Sequence, residues 1–475
     1  MELIGRKKEI NRLNELYNRN RSEFIVLYGR RRIGKTFLIR HVFRERMTFQ
    51  HTALASNSLS QQLVNFHHSI VQTFGIQEQK KRLGNWLDAF QLLKKNLENQ
   101  PNEKKVIFLD ELPWLDTPRS GFLSAFEHFW NSWASSRNDV LLIVCGSAAS
   151  WMIGKLLNNR GGLHNRITEH IRLKPFCLAE CKLLIESMNI EWNIHQLMEM
   201  YLVLGGVPYY WSLISKGKSA AQAIDELIIG NSALLRNEMQ NLYASLFKNH
   251  QAHEAIVKAL SNQKSGLNRD DLLKLSKQPN GGGTSKVLDE LEQSDFIRRY
   301  SPIGRKSRES IYQLTDFFTL FNFNFIDNDK KENPLSWMSF IDHPRHRAWS
   351  GYAFELLCLL HTDQLKRALG ISGIEVRIAC WRSKGSKPYQ IDLIMERRDQ
   401  IINLFEMKFS IAPYTIDKLY HQDLMDKLDS FKRESHTRSA VHLTMISPYG
   451  VKSNSYSGNI QNALDAEDLL VDLGK

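Results

Sequence analysis

Two rhythms of apolar and polar positions organise the first part of the chain. Short apolar runs at residues 24–27, 48–53, 106–109, 141–145 and 171–173 predict buried strands. Between residues 59 and 99 apolar side chains recur at helical spacing, first Leu63, Phe66, Ile70 and Phe74 and then Trp86, Phe90, Leu93 and Leu97, which predicts two amphipathic helices. Strands alternating with helices up to about residue 216 predict an α/β fold built on a parallel sheet covered on both faces. From 179 to 235 the spacing is helical throughout. One break is predicted, at Gly205-Gly206-Val207-Pro208, because glycine and proline together cannot continue a helix.

A third pattern runs from about residue 253 to 325: helices over 255–260 and 269–276, a glycine turn at 281–283, a helix over 284–293, and two short strands around 305–308. This order predicts a winged helix-turn-helix. A polar connection at 327–333 leads to a final α+β unit from about residue 347 onward. The predicted modules are therefore a sheet-and-helix core (1–178), a helical segment (179–250), the winged helix (251–326) and a carboxy-terminal domain (340–475). A chain of 475 residues is too long for one core and accommodates this division.

With 42% hydrophobic and 24% charged residues, the composition is that of an ordinary globular protein rather than a fibrous or disordered one. The formal charge of +12 favours an anionic partner, nucleic acid before a membrane surface. Five cysteines without a C-x-x-C pair argue against a disulfide framework or a zinc site and for a reducing, cytoplasmic setting. The start of the chain carries Glu2, Arg6, Lys7, Lys8 and Glu9, unlike a signal peptide, and the longest apolar stretch, 140–145, is too short to span a bilayer, so membrane insertion is not expected.

The sharpest chemical signal is Gly29-Arg30-Arg31-Arg32-Ile33-Gly34-Lys35-Thr36, which fits G-x-x-x-x-G-K-[ST] between a predicted strand and a predicted helix. Such a loop surrounds phosphates with inward-pointing backbone amides at a positive helix terminus. Lys35 is expected to reach the β and γ oxygens of ATP, and Thr36 to hold Mg2+. Four apolar residues ending in Asp110-Glu111 have the form of a buried strand delivering acids to the sheet edge. Asp110 is expected in the magnesium shell and Glu111 as the group that polarises the attacking water. A further apolar run ends in Cys145-Gly146-Ser147, where the Ser147 hydroxyl is a γ-phosphate sensor candidate. Arg166 is a candidate for stabilising charge on the transferring phosphoryl group, in its own or a neighbouring subunit.

Residues 3–10, the loop 28–36, Leu109-Asp110-Glu111, Cys145-Gly146-Ser147 and Gly205-Gly206-Val207-Pro208, in this order, resemble the archaeal-type AAA ATPases of the STAND group. The resemblance covers the whole chain. It implies that Gly5 and Arg6 lie by the nucleotide base, that Pro208 in the helical lid contacts bound nucleotide, and that Arg166 acts on the phosphate. Asn165 stands before Arg166 where the family usually carries glycine. Members of this group often act as oligomers, which implies self-association here.

In the winged helix Lys286, Arg298, Arg299, Arg305, Lys306 and Arg308 cluster on the third helix and the wing, a balance that permits DNA contact. The helix offers few base-reading side chains, so the module serves either DNA binding or packing as a lid.

In the last domain, residues 390–395, a polar turn at 397–399 and residues 401–409 predict a hairpin. Alternation puts Glu406 and Lys408 on one face, and closing the hairpin brings Asp392 opposite Glu406. Two acids and a lysine so placed suit a magnesium-dependent phosphodiesterase, with the carboxylates holding the ion and the lysine steadying water and phosphate. With Glu355 on the preceding helix, this segment resembles the PD-(D/E)xK nuclease superfamily, in which the helix acid adds a metal ligand; Ile391 stands where the name-giving proline would be. Tyr414, Asp417, Lys418, Tyr420 and Lys427 fall on helices beside the hairpin, as candidate phosphate contacts or as a solvated face.

The sequence thus predicts an ATP-hydrolysing switch controlling a magnesium-dependent nuclease on DNA. The rival reading is a nucleotide-regulated DNA-binding or signalling protein whose last domain does not cleave.

Overall fold

A computed structural model describes residues 3–77, 83–101, 103–158, 161–163, 165–230, 232–247, 249–303, 309–326, 336–340, 343–384 and 387–471. Two compact units result, Met1–Pro175 and Phe176–Leu473.

In the first unit, strands β1 (Glu23–Tyr28), β2 (Met47–Thr52), β3 (Lys105–Asp110), β4 (Val140–Gly146) and β5 (Glu169–Arg172) form one sheet in the order β2-β3-β4-β1-β5. Every pairing is parallel. All positions of β1, β3 and β4 are buried, as a strand covered on both faces requires. Alternation along β1 sends Phe24, Val26 and Tyr28 into a core that also holds Phe66, Trp86, Phe90, Phe122 and Trp130. Ile25 and Leu27 point the other way, onto Leu13, Leu16, Leu38 and Ile39. The two predicted helices between residues 59 and 99 are Leu59–Phe74 and Trp86–Glu98. This is the α/β P-loop arrangement expected from the sequence.

The second unit opens with the helical segment, and here the prediction of a single break fails. Helices Leu178–Ser187, Ile194–Leu204, Pro208–Trp211 and Ala220–Ile224 are separated at three places. Asn189 takes a left-handed conformation, Asn193 caps the second helix, and Ser219 with Gln222 forms a capping box. These local polar caps override a continuous apolar rhythm. The predicted Gly-Pro break is present: a Cβ on Gly206 would stand 1.8 Å from the Phe176 oxygen, so only glycine fits this close approach of two chain segments.

Next come helices His250–Ser261, Arg269–Ser276 and Gly282–Gln293 and an antiparallel sheet of β6 (Leu267–Asn268), β7 (Ile297–Tyr300) and β8 (Ile311–Leu314) in the order β6-β8-β7. Gly282 and Gly283 belong to the third helix rather than to a turn before it. β6, two residues long, carries no alternation from which it could be predicted. Arg305, Lys306 and Arg308 lie outside the described residues, as does the connection 327–333.

The last region begins with helix Pro344–Leu360, started by Pro344 in its first turn and capped by His343. Strands β9 (Val376–Arg382), β10 (Gln390–Arg397), β11 (Ile401–Met407), β12 (Ala440–Ile446) and β13 (Asn462–Leu464) form a sheet in the order β13-β12-β11-β10-β9. β9, β10 and β11 are antiparallel neighbours, whereas β11, β12 and β13 are parallel. Helix Lys418–Ser435 supplies the crossover from β11 to β12 that a parallel pair requires.

Candidate functional sites: a phosphate loop and a carboxylate cluster

The carboxyl ends of β1, β3 and β4 bring together residues far apart in sequence. The 29–36 loop follows β1 and leads into helix Lys35–Val42, whose N-cap is Gly34 at φ 89° with no side-chain cap. The amides of its first turn are therefore left for an anionic ligand. Gly29 has φ 146°, and a Cβ there would stand 2.3 Å from the Leu173 oxygen.

Lys35 Nζ donates to the Gly29 and Arg30 carbonyls, each at 2.9 Å. Burial holds this ammonium below the usual lysine range, against the opposing charges of Glu111 and Asp110. Thr36 Oγ1 donates to Asp110 Oδ2 at 2.8 Å, which joins the two residues named for magnesium. A hydroxyl beside a carboxylate is an all-oxygen donor set of the kind magnesium takes, so the residues present fit the ion.

Asp110 also accepts from the Cys145 thiol, a contact with no motif to announce it. Burial and the Asp110 charge push that thiol well above its ordinary value, so it stays a donor. Glu111 has φ 51°, a left-handed conformation. Its carboxylate accepts from the Ser147 hydroxyl and, at 3.2 Å, from the Ser147 amide. Arg6, at φ 58°, is buried and donates to the Ile33 carbonyl of the loop at 3.3 Å, with Gly5 before it at φ 69°. Arg166 is exposed on a turn following left-handed Asn165. Pro208 opens a short helix of the second unit.

The second cluster lies on the five-stranded sheet. The β10–β11 register pairs Leu393 with Phe405. Continued by one residue, that register sets Asp392 opposite Glu406, whose charge is felt at Asp392. Pairing of β10 with β9 shifts by one residue between Ile391 and Ile394, a bulge that re-aims Asp392. Lys408 Nζ lies 3.1 Å from Glu406 Oε1.

Two residues of helix Lys418–Ser435 complete the shell: Lys427 Nζ donates to Glu406 Oε2 at 2.7 Å and Tyr420 Oη to Glu406 Oε1 at 2.8 Å. Burial alone would raise the Glu406 carboxyl, but Lys427, Lys408 and these hydrogen bonds outweigh it and hold the group below its ordinary value. Asp392 accepts from Gln390, two positions back on the same face of β10. Its carboxyl is raised, burial winning over that hydrogen bond and the charge of Arg298. Glu355, half-buried on helix Pro344–Leu360, makes no hydrogen bond among the described residues. Burial and then the Asp392 charge push it up to about 8, with Glu406 adding to the push and Lys408 and Lys264 opposing it.

Burial is the main cause of the raised Glu355 and Asp392, with each neighbouring acid adding to it, and the oxygen donors of these carboxylates are of the kind a hard ion takes. They are nevertheless not drawn into a finished cage. Among the described residues no group of three or more His, Cys, Asp or Glu side chains is arranged to hold a metal.

Residues 3–214 match a family described as an ATPase domain predominantly from Archaea. The uncharacterized protein MJECL04 of Methanocaldococcus jannaschii is 27% identical over 335 residues, 68% of this chain and 68% of that protein. The Walker-type ATPase PABY2304 of Pyrococcus abyssi is similar in structure, with a TM-score of 0.48 and 16% identity over 68% of this chain and 96% of that one. The ORC2 protein of Aeropyrum pernix, in its ADPNP-ADP complexes, gives a TM-score of 0.43 and 18% identity, covering 68% and 93%. The amino-terminal part of the chain is an archaeal-type ATPase domain. No described helix is long and apolar enough to cross a membrane.

Proposed function

We propose that this protein binds and hydrolyses ATP with magnesium and couples the nucleotide cycle to a magnesium-dependent nuclease acting on DNA. For the first activity the supporting contact is Thr36 with Asp110 beside buried Lys35. The loop amides and Lys35 bind the phosphates, Thr36 and Asp110 hold the ion, and Glu111 orients the attacking water once Ser147 releases it. Bound magnesium supplies charge neutralisation on the phosphate oxygens.

For the second activity the observation that carries the reading is the bulged Asp392 opposite Glu406, with Lys408 3.1 Å from Glu406. Asp392, Glu406 and Glu355 are the residues to hold magnesium, which would activate water and neutralise a phosphodiester. Lys408 positions that water and steadies the phosphate. The helix-strand-helix-helix-strand-strand module of residues 250–314, read as a winged helix, and the net charge of +12 favour nucleic acid as partner. Self-association is part of the proposal, through Arg166 offered to a neighbouring subunit.

A second reading, a nucleotide-regulated DNA-binding or signalling protein that does not cleave, is favoured by the occupation of both Glu406 oxygens by Lys427 and Tyr420. Plasmid cleavage in magnesium by the parent, Lys35→Ala and Lys408→Ala separates the readings. Loss with both variants supports coupling, and loss with Lys408→Ala alone indicates a nuclease independent of ATP. No cleavage by the parent under any nucleotide favours the second reading.

A further inference from the structure

Arg298 is among the basic residues of the predicted wing, whose charge permits DNA contact. In the structure it is half-buried on β7 and faces the carboxylate cluster's neighbourhood. Its Nε donates to Gln313 Oε1 at 2.7 Å across the β7–β8 pair, and its guanidinium lies 4.4 Å from the centroid of the Tyr300 ring. The fork is thereby held flat and in one orientation. Its Nη2 is buried and has no hydrogen-bond partner among the described residues.

The three-stranded module meets the five-stranded sheet by specific contacts. The Ile303 amide, just past β7, donates to the Cys380 carbonyl of β9 at 2.9 Å. Cys380 lies on β9 beside the Asp392–Leu393 bulge of β10. Tyr352, one helical turn before Glu355, donates to the carbonyl of Leu314, the neighbour of Gln313, at 3.2 Å. The Arg382 guanidinium donates to the Ser265 carbonyl. The charge of Arg298 is felt accordingly at Tyr352, at Cys380 and at Asp392.

We propose that Arg298 is a phosphate-binding residue of the carboxylate site, so that the three-stranded module grips the nucleic-acid backbone whose reacting phosphate the five-stranded sheet receives. This rests on the nuclease-type reading of that site. A cluster of three acids repels a polyanion unless cations face it. Lys427 is already committed to Glu406, and Lys408, which also contacts that acid, does not balance three carboxylates by itself. A buried guanidinium nitrogen without an acceptor costs free energy that a phosphate oxygen would offset, and its planar fork matches phosphate geometry. A counter-ion role toward Asp392 alone does not account for the arrangement: Asp392 takes its hydrogen bond from Gln390, and Arg298 gives its own to Gln313. Lys264, exposed and opposing the charge of Glu355, extends the cationic rim.

The test is binding of a fluorescein-labelled double-stranded oligonucleotide by the full chain with calcium replacing magnesium, over a series of salt concentrations. Arg298→Gln is expected to weaken binding about tenfold and to lower the slope of log affinity against log salt by about one. Arg298→Lys, which keeps the charge and loses the fork, is expected to weaken binding several-fold at an unchanged slope. Parent-like affinity and slope in Arg298→Gln would overturn the proposal. Should that variant not fold, unaltered affinity in Arg298→Lys would do so. In magnesium, Arg298→Gln should raise KM more than it lowers kcat. If the parent does not cut, the nuclease reading fails, whereas the calcium binding data still decide the role of Arg298.

Discussion

Lys427 Nζ stands 2.7 Å from Glu406 Oε2, with the two side chains only 15% and 10% exposed. The helix that closes the crossover thus places a cation against an acid at the centre of the carboxylate cluster. Little solvent is available to replace either partner.

Removing one member of this pair leaves the other charge buried and only partly compensated by Lys408. Lys427→Met is expected to destabilise the second unit by about 3 kcal/mol. Adding Glu406→Gln to it should recover much of that loss, giving a coupling energy of roughly 1–3 kcal/mol in a double-mutant cycle by urea unfolding. Additive losses would show that the contact does not contribute.

Gly29→Ala introduces a Cβ 2.3 Å from a backbone oxygen at a left-handed φ. The Ile33 Cδ1 methyl, 2.8 Å away, can turn aside, but the Leu173 carbonyl is backbone and cannot. A stability loss of about 3 kcal/mol, with binding of a fluorescent ATP analogue abolished, is the expected outcome of melting and titration measurements.

Glu111 is held by Ser147 through both hydroxyl and amide. Glu111→Gln should leave ATP binding intact and lower the hydrolysis rate by about a hundredfold or more, as for loss of a water-positioning base. Ser147→Ala should change kcat far less, since the amide contact survives. Comparable turnover by Glu111→Gln and the parent would remove Glu111 from the reaction.

His361 is fully buried in the second unit; Nδ1 donates to the Leu357 carbonyl at 2.8 Å, and Nε2 accepts from the Leu178 amide at 2.9 Å. A proton on Nε2 would point at a donor. Burial lowers its pKa from 6.5 to about 4. Between those values the unfolded chain binds a proton that the folded one refuses, so the stabilising contribution is complete above 6.5 and is lost as pH falls toward about 4. At about pH 5 the loss is on the order of 2 kcal/mol. Urea unfolding of the second unit across this range should show the decline, and His361→Gln should flatten it. His51, lowered to about 4 by burial, adds the same trend in the first unit.

The phosphate loop, its flanking strand and helix, and the acids ending β3 were legible because each is local: three consecutive segments carry their own chemistry and periodicity. Asp392 opposite Glu406 was legible too, since a short hairpin sets its register by its turn. Lys427 and Tyr420 were visible only as charged or aromatic residues on a helix face, and nothing in their spacing told that they point at Glu406. Cys145 reads as one more apolar strand residue, although its thiol meets Asp110. The breaks at residues 188–193 and 212–219 were signalled by Asn193 and Ser219-x-x-Gln222 and masked by the stronger apolar rhythm.

Sequence alone determined the strands and helices of the sheet-and-helix core, the hairpin of the last region, and which residues could touch phosphate, because these follow from backbone preferences and from periodicities of two and about 3.6 residues. Tertiary structure decided which cations lie near which acids: Lys427 reaches Glu406 from the crossover helix, and the charge of Arg298, on a strand nearly a hundred residues earlier, is felt at Asp392. Such pairings depend on how separate sheets and helices dock, and docking is set by the fit of whole faces, which no local stretch of residues encodes.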